Sequence, residues 1–151
     1  RKAPYYQQVF PLVEQVVTNG ETELSKYLRD SFQVIGGYLG IKTELIMSSS
    51  LDKDCSLKKQ DKIISICKLL GGTEYYNSVS GVPLYEPHRD LFEAAGLELS
   101  FPVMRQIEYP QFRNEFVPNL SIIDVMMFNS QERCQELLHE YDLLKKGDVQ
   151  L

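Results

Sequence analysis

Long apolar runs are missing from this sequence. One of the longest, Ile122 to Phe128, is interrupted by Asp124 and falls far short of the ~20 residues a membrane-spanning helix needs. Cysteine is scarce. Cys55, Cys67 and Cys134 are odd in number, far apart and without CxxC spacing, which suits a reducing compartment better than a disulfide framework. Basic charge is also in deficit: 16 Lys and Arg stand against 21 Asp and Glu, a net charge of -5. Non-specific binding to nucleic acid or to an anionic membrane needs the opposite sign, so neither is expected as a partner. Only two histidines occur, His88 and His139, with no HxxE or HxxH spacing, and no metal site is expected. Walker loops, GxGxxG, GxSxG, the kinase set and RNA-binding aromatic motifs are all absent, so no catalytic residue and no cofactor can be named from motifs. The chain opens Arg1-Lys2-Ala3-Pro4 with no apolar signal core behind it. That reads as a cytoplasmic protein lacking an upstream segment.

What is present describes a globular chain. Its 151 residues are 43% apolar, 25% charged and 11% aromatic, enough for one domain over 1–151 that buries roughly two-thirds of its unfolded surface. Pro11 can open a helix, and Leu12, Val13, Val16 and Val17 give it an apolar face before Asn19-Gly20. Leu24, Leu28, Phe32, Ile35 and Leu39 recur at helical spacing up to a cap at Gly40. Thr43 to Met47 alternates as a strand does, with Ser48-Ser49-Ser50 as the loop after it. A helix over Lys58 to Leu70 closes at Gly71-Gly72, a short strand covers Thr73 to Tyr76, a helix over Arg89 to Ala95 closes at Gly96, and Leu97 to Phe101 forms the third strand. Pro102 to Asn119 is a long loop, and Ser121 to Phe128 and Gln131 to Leu144 are helices. Strands alternating with helices predict an α/β fold: a small, parallel, Rossmann-like sheet of three strands flanked by helices, with extra helices at both ends.

Loops at the carboxyl ends of parallel strands gather ligands, because free N–H groups and helix N-termini converge there. Tyr76-Asn77-Ser78-Val79-Ser80-Gly81 offers an amide, two hydroxyls and a glycine that lets backbone approach an anion or a sugar, though a plain turn has the same composition. Ser48 to Ser50 could donate hydroxyls to a ligand or only satisfy neighbouring backbone. Ser121 with Asp124 reads as a nucleophile and carboxylate or, more simply, as a capping box, and Ser130 with Glu132 reads as a second helix start. Glu86, His88, Arg89 and Asp90 could do acid/base work, the plainer reading being a solvated helix start. Tyr5, Tyr6, Tyr75, Tyr76, Tyr85 and Tyr109 could stack on sugar rings or fill a core. Tyr5, Tyr6, Phe10 and Val13 together could form an apolar patch.

Two stretches carry a family resemblance. Leu70-Gly71-Gly72-Thr73-Glu74-Tyr75-Tyr76-Asn77 running on to Gly81-Val82-Pro83-Leu84-Tyr85 resembles the WbqC-like family, and Tyr109-Pro110-Gln111-Phe112 with Phe116-Val117-Pro118-Asn119-Leu120-Ser121-Ile122-Ile123-Asp124 and on to Ser130 resembles its C-terminal signature. Leu39 to Thr43 and Phe92 to Phe101 are similar too. The resemblance implies the C-terminal part of such a protein, without the family's N-terminal glutamine-proline and asparagine-arginine motifs. It also implies a role in bacterial O-antigen or related surface-polysaccharide biosynthesis, as an aminoacyl (glycine) or acyl transferase acting on a nucleotide-linked amino-sugar. The rivals are a non-enzymatic interaction module of such a pathway and a domain with a nucleotide-binding-like fold whose function the sequence does not name. With the polar loops, the resemblance assigns ligand contact to Tyr76, Asn77, Ser80, Gly81, Tyr109, Gln111 and Asn119, while Asp124 either caps its helix or orients a ligand group. Expected partners are a nucleotide-sugar or amino-sugar, and either a second copy or the missing N-terminal region.

Overall fold

The computed structural model describes residues 2–112 and 115–148. In chain order the elements are α1 (Tyr6–Val17), α2 (Leu24–Tyr38), α3 (Lys59–Leu69), β1 (Glu74–Tyr76), α4 (Val82–Tyr85), α5 (Arg89–Ala94), β2 (Glu98–Met104), α6 (Ile122–Phe128), α7 (Gln131–Leu137) and β3 (Tyr141–Leu144). Short 3-10 turns lie at Ser48–Ser50, Val79–Gly81 and Glu86–His88. The chain divides into two compact units, one formed by Arg1–Ser50 with Gln106–Glu140 and the other by Leu51–Arg105 with Tyr141–Leu151.

The first unit is helical. Val9, Leu39, Met126 and Cys134 are its buried centre, with Tyr5, Leu12, Val13, Ile35 and Tyr38 packed against them. The first helix begins at Tyr6 rather than at Pro11, so the proline sits inside it and Gln7 C=O loses its i+4 partner. Packing outweighs that loss, since fully buried Val9 and the bond from Tyr5 N to Met127 C=O at 3.1 Å fix the turn before the proline. Tyr5 and Val13 therefore belong to a core and not to a surface patch, while Tyr6 stacks on half-exposed Phe10 at 4.9 Å. The stripe expected to be buried on α2 is only half used. Ile35 and Leu39 enter the core, but Leu24, Leu28 and Phe32 stand 70%, 44% and 63% exposed. Ser121 and Ser130 cap α6 and α7, accepting from Ile123 N and Arg133 N at 3.2 Å each.

The second unit holds an open sheet in the order β1-β2-β3. β1 and β2 run parallel with Tyr75 beside Leu99, and β2 and β3 run antiparallel with Val103 beside Asp142. The sheet is thus mixed rather than wholly parallel, it contains one βαβ unit, and a Rossmann-like arrangement is not established. Two expectations fail here for one reason, that ladders depend on residues distant in sequence. The stretch expected to continue the last helix to Leu144 leaves it after Leu137 and becomes β3 against Phe101–Met104. The strand expected over Thr43 to Met47 joins no ladder among the described residues. Phe92, Leu97, Leu99 and Phe101 form the buried centre, joined by Ile63, Ile64, Cys67, Tyr75, Tyr85 and Leu144.

Helix ends follow the glycines. After α3, Gly72 N bonds back to Cys67 C=O at 2.8 Å and Gly71 N to Lys68 C=O at 3.1 Å; after α5, Leu97 N reaches Phe92 C=O and Gly96 N reaches Glu93 C=O, both at 2.9 Å. This paired bonding needs a left-handed residue, and Gly71 and Gly96 have φ of +67° and +77°. Both turns deliver the chain directly into the parallel strands. A Cβ on Gly96 would meet no atom within 4 Å, so Gly96→Ala carries backbone strain alone and should lower stability by about 1 kcal/mol. Gly20 also faces open space without a left-handed φ, and Gly20→Ala should be neutral or stabilising by up to ~1 kcal/mol. Urea midpoints of the two variants distinguish strain from space; equal effects would contradict this account.

Candidate functional site

The loop after Arg105 has little backbone pairing, so its side chains organise it. Gln111, 7% exposed, grips Val117 twice: its Nε2 donates to Val117 C=O at 3.1 Å, and its Oε1 accepts from Val117 N at 2.8 Å. The same Nε2 donates to Asp124 Oδ2 at 2.8 Å, and Tyr109 Oη donates to that oxygen at 2.8 Å. Asp124 lies in the first turn of α6, where its charge also faces the positive end of the helix dipole. Burial, with the Asp124 carboxylate as a second cause, pushes the Tyr109 phenol up to about 12, so it stays a donor. The next residue, Phe112, takes φ +55°, strained for a side chain of its size, and its ring packs edge-on against Phe128 at 4.7 Å.

This clasp shapes a cavity of about 440 Å³ lined by Gln106, Ile107, Glu108, Glu115, Phe116, Pro118 and Asn119. Phe116 meets the Tyr109 ring edge-on at 5.1 Å, which links the cavity wall to the clasp. Asn119 has φ +58°, a conformation its short amide tolerates. Residues 113 and 114 of the expected loop lie outside the described residues. Of the residues expected to hold a ligand, then, Asn119 lines the cavity, whereas Tyr109, Gln111 and Asp124 support the loop that forms it. The capping box expected of Ser121 and Asp124 is half formed: Ser121 caps, and the Asp124 carboxylate holds Tyr109 and Gln111.

The other expected group lies in the second unit, at the carboxyl end of β1. Asn77 N bonds to Ser100 C=O at 3.1 Å, and its Nδ2 donates to Tyr75 Oη at 2.7 Å. Burial raises the Tyr75 phenol to about 12. The Asn77 carboxamide lies over Gly81, where a Cβ would sit 2.5 Å from Asn77 Oδ1 and 3.3 Å from the Tyr85 ring. Close approach, not φ, is what requires glycine there. Tyr75 stacks on Phe92 with centroids 5.6 Å apart and Tyr85 meets Phe92 edge-on, so these tyrosines are core. Ser80 shares a 2.7 Å bond with Ser78, and exposed Tyr76 bonds to Glu74. Ser50 Oγ donates to Met47 C=O at 2.8 Å, the local backbone role weighed for the serine loop.

Arg89, for which acid/base work and a solvated helix start are the two sequence expectations, is not solvated. It is 7% exposed; its Nε and Nη2 hold Glu86 Oε2 at 3.0 and 2.7 Å, and Nη1 donates to Leu99 C=O at 2.6 Å. Its guanidinium lies 6.0 Å from the Phe101 ring centroid. With Thr73, Glu93, Glu98, Lys145 and Lys146 it lines a cavity of about 490 Å³. The i,i+3 spacing of Glu86 and Arg89 was the available signal; their burial was not visible. Among the described residues no group of three or more His, Cys, Asp or Glu could hold a metal ion, and no helix is long and apolar enough to cross a membrane.

The chain matches the model of the family described as WbqC-like protein family over residues 1–136. No curated protein and no solved structure matches it. The match takes in essentially the whole chain, and the expectation that the family's N-terminal region is absent is not borne out.

Because the Tyr109 phenol is held above its unfolded value of about 10, its contribution to stability is complete below pH ~10 and is lost as pH rises toward about 12. Tyr109→Phe should flatten this alkaline loss in unfolding curves taken across that window, and an unchanged slope would contradict the clasp. Glu86→Ala leaves the Arg89 guanidinium buried and should cost about 3–5 kcal/mol, while Glu86→Ala with Arg89→Met should recover part of it. A negligible loss in the single variant, read by urea unfolding, would show the pair to be screened.

Proposed function

The chain belongs to the WbqC-like protein family, and from that premise we propose that it serves bacterial O-antigen or related surface-polysaccharide biosynthesis by binding a nucleotide-linked amino-sugar for aminoacyl or acyl transfer. The observation that carries the ligand class is the lining of the 440 Å³ cavity: two carboxylates, Glu108 and Glu115, two amides, Gln106 and Asn119, and the Phe116 ring. Carboxylates and amides match the ammonium and hydroxyls of an amino-sugar, and an aromatic ring matches its C–H face. Tyr109, Gln111 and Asp124 are positioning residues for this cavity. Exposed Tyr76 and Ser80 supply a second polar surface for the same class of ligand at the carboxyl end of β1, where Asn77 and Gly81 hold the loop in shape. For transfer the bound ammonium would give a proton to Glu108 or Glu115, and the neutral amine would then bond to the donor's acyl carbon as the donor's leaving group departs. The non-enzymatic alternative, an interaction module, draws its support from the exposed stripe of α2.

Thermal unfolding with a nucleotide-linked amino-sugar checks the cavity. At ~100 times the dissociation constant a ligand adds about 2.7 kcal/mol, a shift of several degrees. Asn119→Gly removes the amide while keeping the left-handed backbone available, so it should abolish the shift and leave the unliganded midpoint unchanged. No shift in the parent chain with nucleotide-linked amino-sugars would overturn the reading.

A further inference from the structure

The segment between α2 and the first 3-10 turn combines features that no part of the function above uses. Residues 41–47 are rich in β-forming side chains, and Ile41, Leu45 and Ile46 are 46%, 41% and 44% exposed. Among the described residues no backbone hydrogen bond engages Lys42, Thr43, Glu44, Leu45 or Ile46. Such a segment is an open template for strand pairing. It lines, with Phe32, Ile35 and the Gly36-Gly37 floor, an apolar groove of about 660 Å³. Phe32 continues at four-residue spacing into the exposed Leu28 and Leu24.

We propose that this segment pairs antiparallel with the same segment of a second copy of the chain, across a two-fold axis at Thr43. The argument is the self-complementarity of the sequence in that register. In an isologous pair each contact must be met by its own reverse. Centred on Thr43, Lys42 faces Glu44 of the second copy and Glu44 faces its Lys42, which gives two opposite-charge pairs on one face of the ladder. On the other face Ile41 meets Leu45 twice and Thr43 meets Thr43. Centring the axis on Leu45 instead would set Glu44 against Ile46 and leave the charges unmatched. The apolar row then extends the groove wall, and the α2 stripes of both copies add apolar area beside it. This inference rests on none of the ligand-site residues.

Sedimentation velocity of the chain from about 1 to about 200 µM tests it, with expected monomer–dimer exchange in the micromolar range. Lys42→Glu sets Glu against Glu and Glu44→Lys sets Lys against Lys, so each single variant should weaken association at least about tenfold. The charge-exchanged double variant should restore it. An equimolar mixture of the two single variants should form a heterodimer, because every Lys then faces a Glu. Circular dichroism matching the parent chain verifies that each variant is folded. A chain that is monomeric throughout, single variants that associate as well as the parent, or a double variant as weak as the singles would each overturn the proposal.

Discussion

A loop without ladders must satisfy its polar groups through side chains, and in this protein a single carboxylate oxygen, Asp124 Oδ2, is the point on which that arrangement turns. It takes hydrogen bonds from Tyr109 and Gln111, and Gln111 in turn holds both backbone groups of Val117. Fixing three points of one loop to the first turn of α6 lets the strained Phe112 backbone persist and sets Phe116, Pro118 and Asn119 around a cavity. A charged acceptor roughly doubles the strength of the bonds it receives, and a half-buried setting screens them little.

The second unit solves a comparable problem with the opposite charge. The Arg89 guanidinium is sheltered, and it is tolerable there because Glu86 holds it with two oxygens and Leu99 C=O takes a further N–H. One residue thereby ties the start of α5 to the start of β2. Near it, the Tyr75, Tyr85 and Phe92 rings fill the space between helix and sheet, and the Asn77 carboxamide closes over Gly81. Groups that look like ligand contacts in a list of polar residues are here largely consumed by the fold.

That distinction sets how much of the site could be read beforehand. Tyr109, Gln111 and Asp124 lie in the stretches that resemble the family, and they do meet in space, but their bonds point at one another. Of the residues facing the cavity, Glu108 and Glu115 carry no motif, and Phe116 lies in the stretch that resembles the family signature without being singled out as a ligand contact. Asn119, also in that stretch, takes no part in the clasp and lines the wall. A charged i,i+3 pair at a helix start is ordinarily solvated, and only the packing of β2 behind Arg89 reverses that expectation.

Local chemistry was decided by the sequence alone. Glycines at 71 and 96 ended helices, since only glycine enters the left-handed region without penalty, and serines at 121 and 130 started them, since a short hydroxyl reaches the first free N–H groups. Tertiary structure decided whatever depends on partners far along the chain. Tyr141–Leu144 became a strand because Phe101–Met104 offered it a ladder, residues 43–47 joined no ladder among the described residues, and Pro11 was absorbed into α1 because Val9 is buried. Propensities differ by fractions of a kcal/mol per residue, whereas a ladder or a buried side chain is worth more, so long-range contacts overrule local preference.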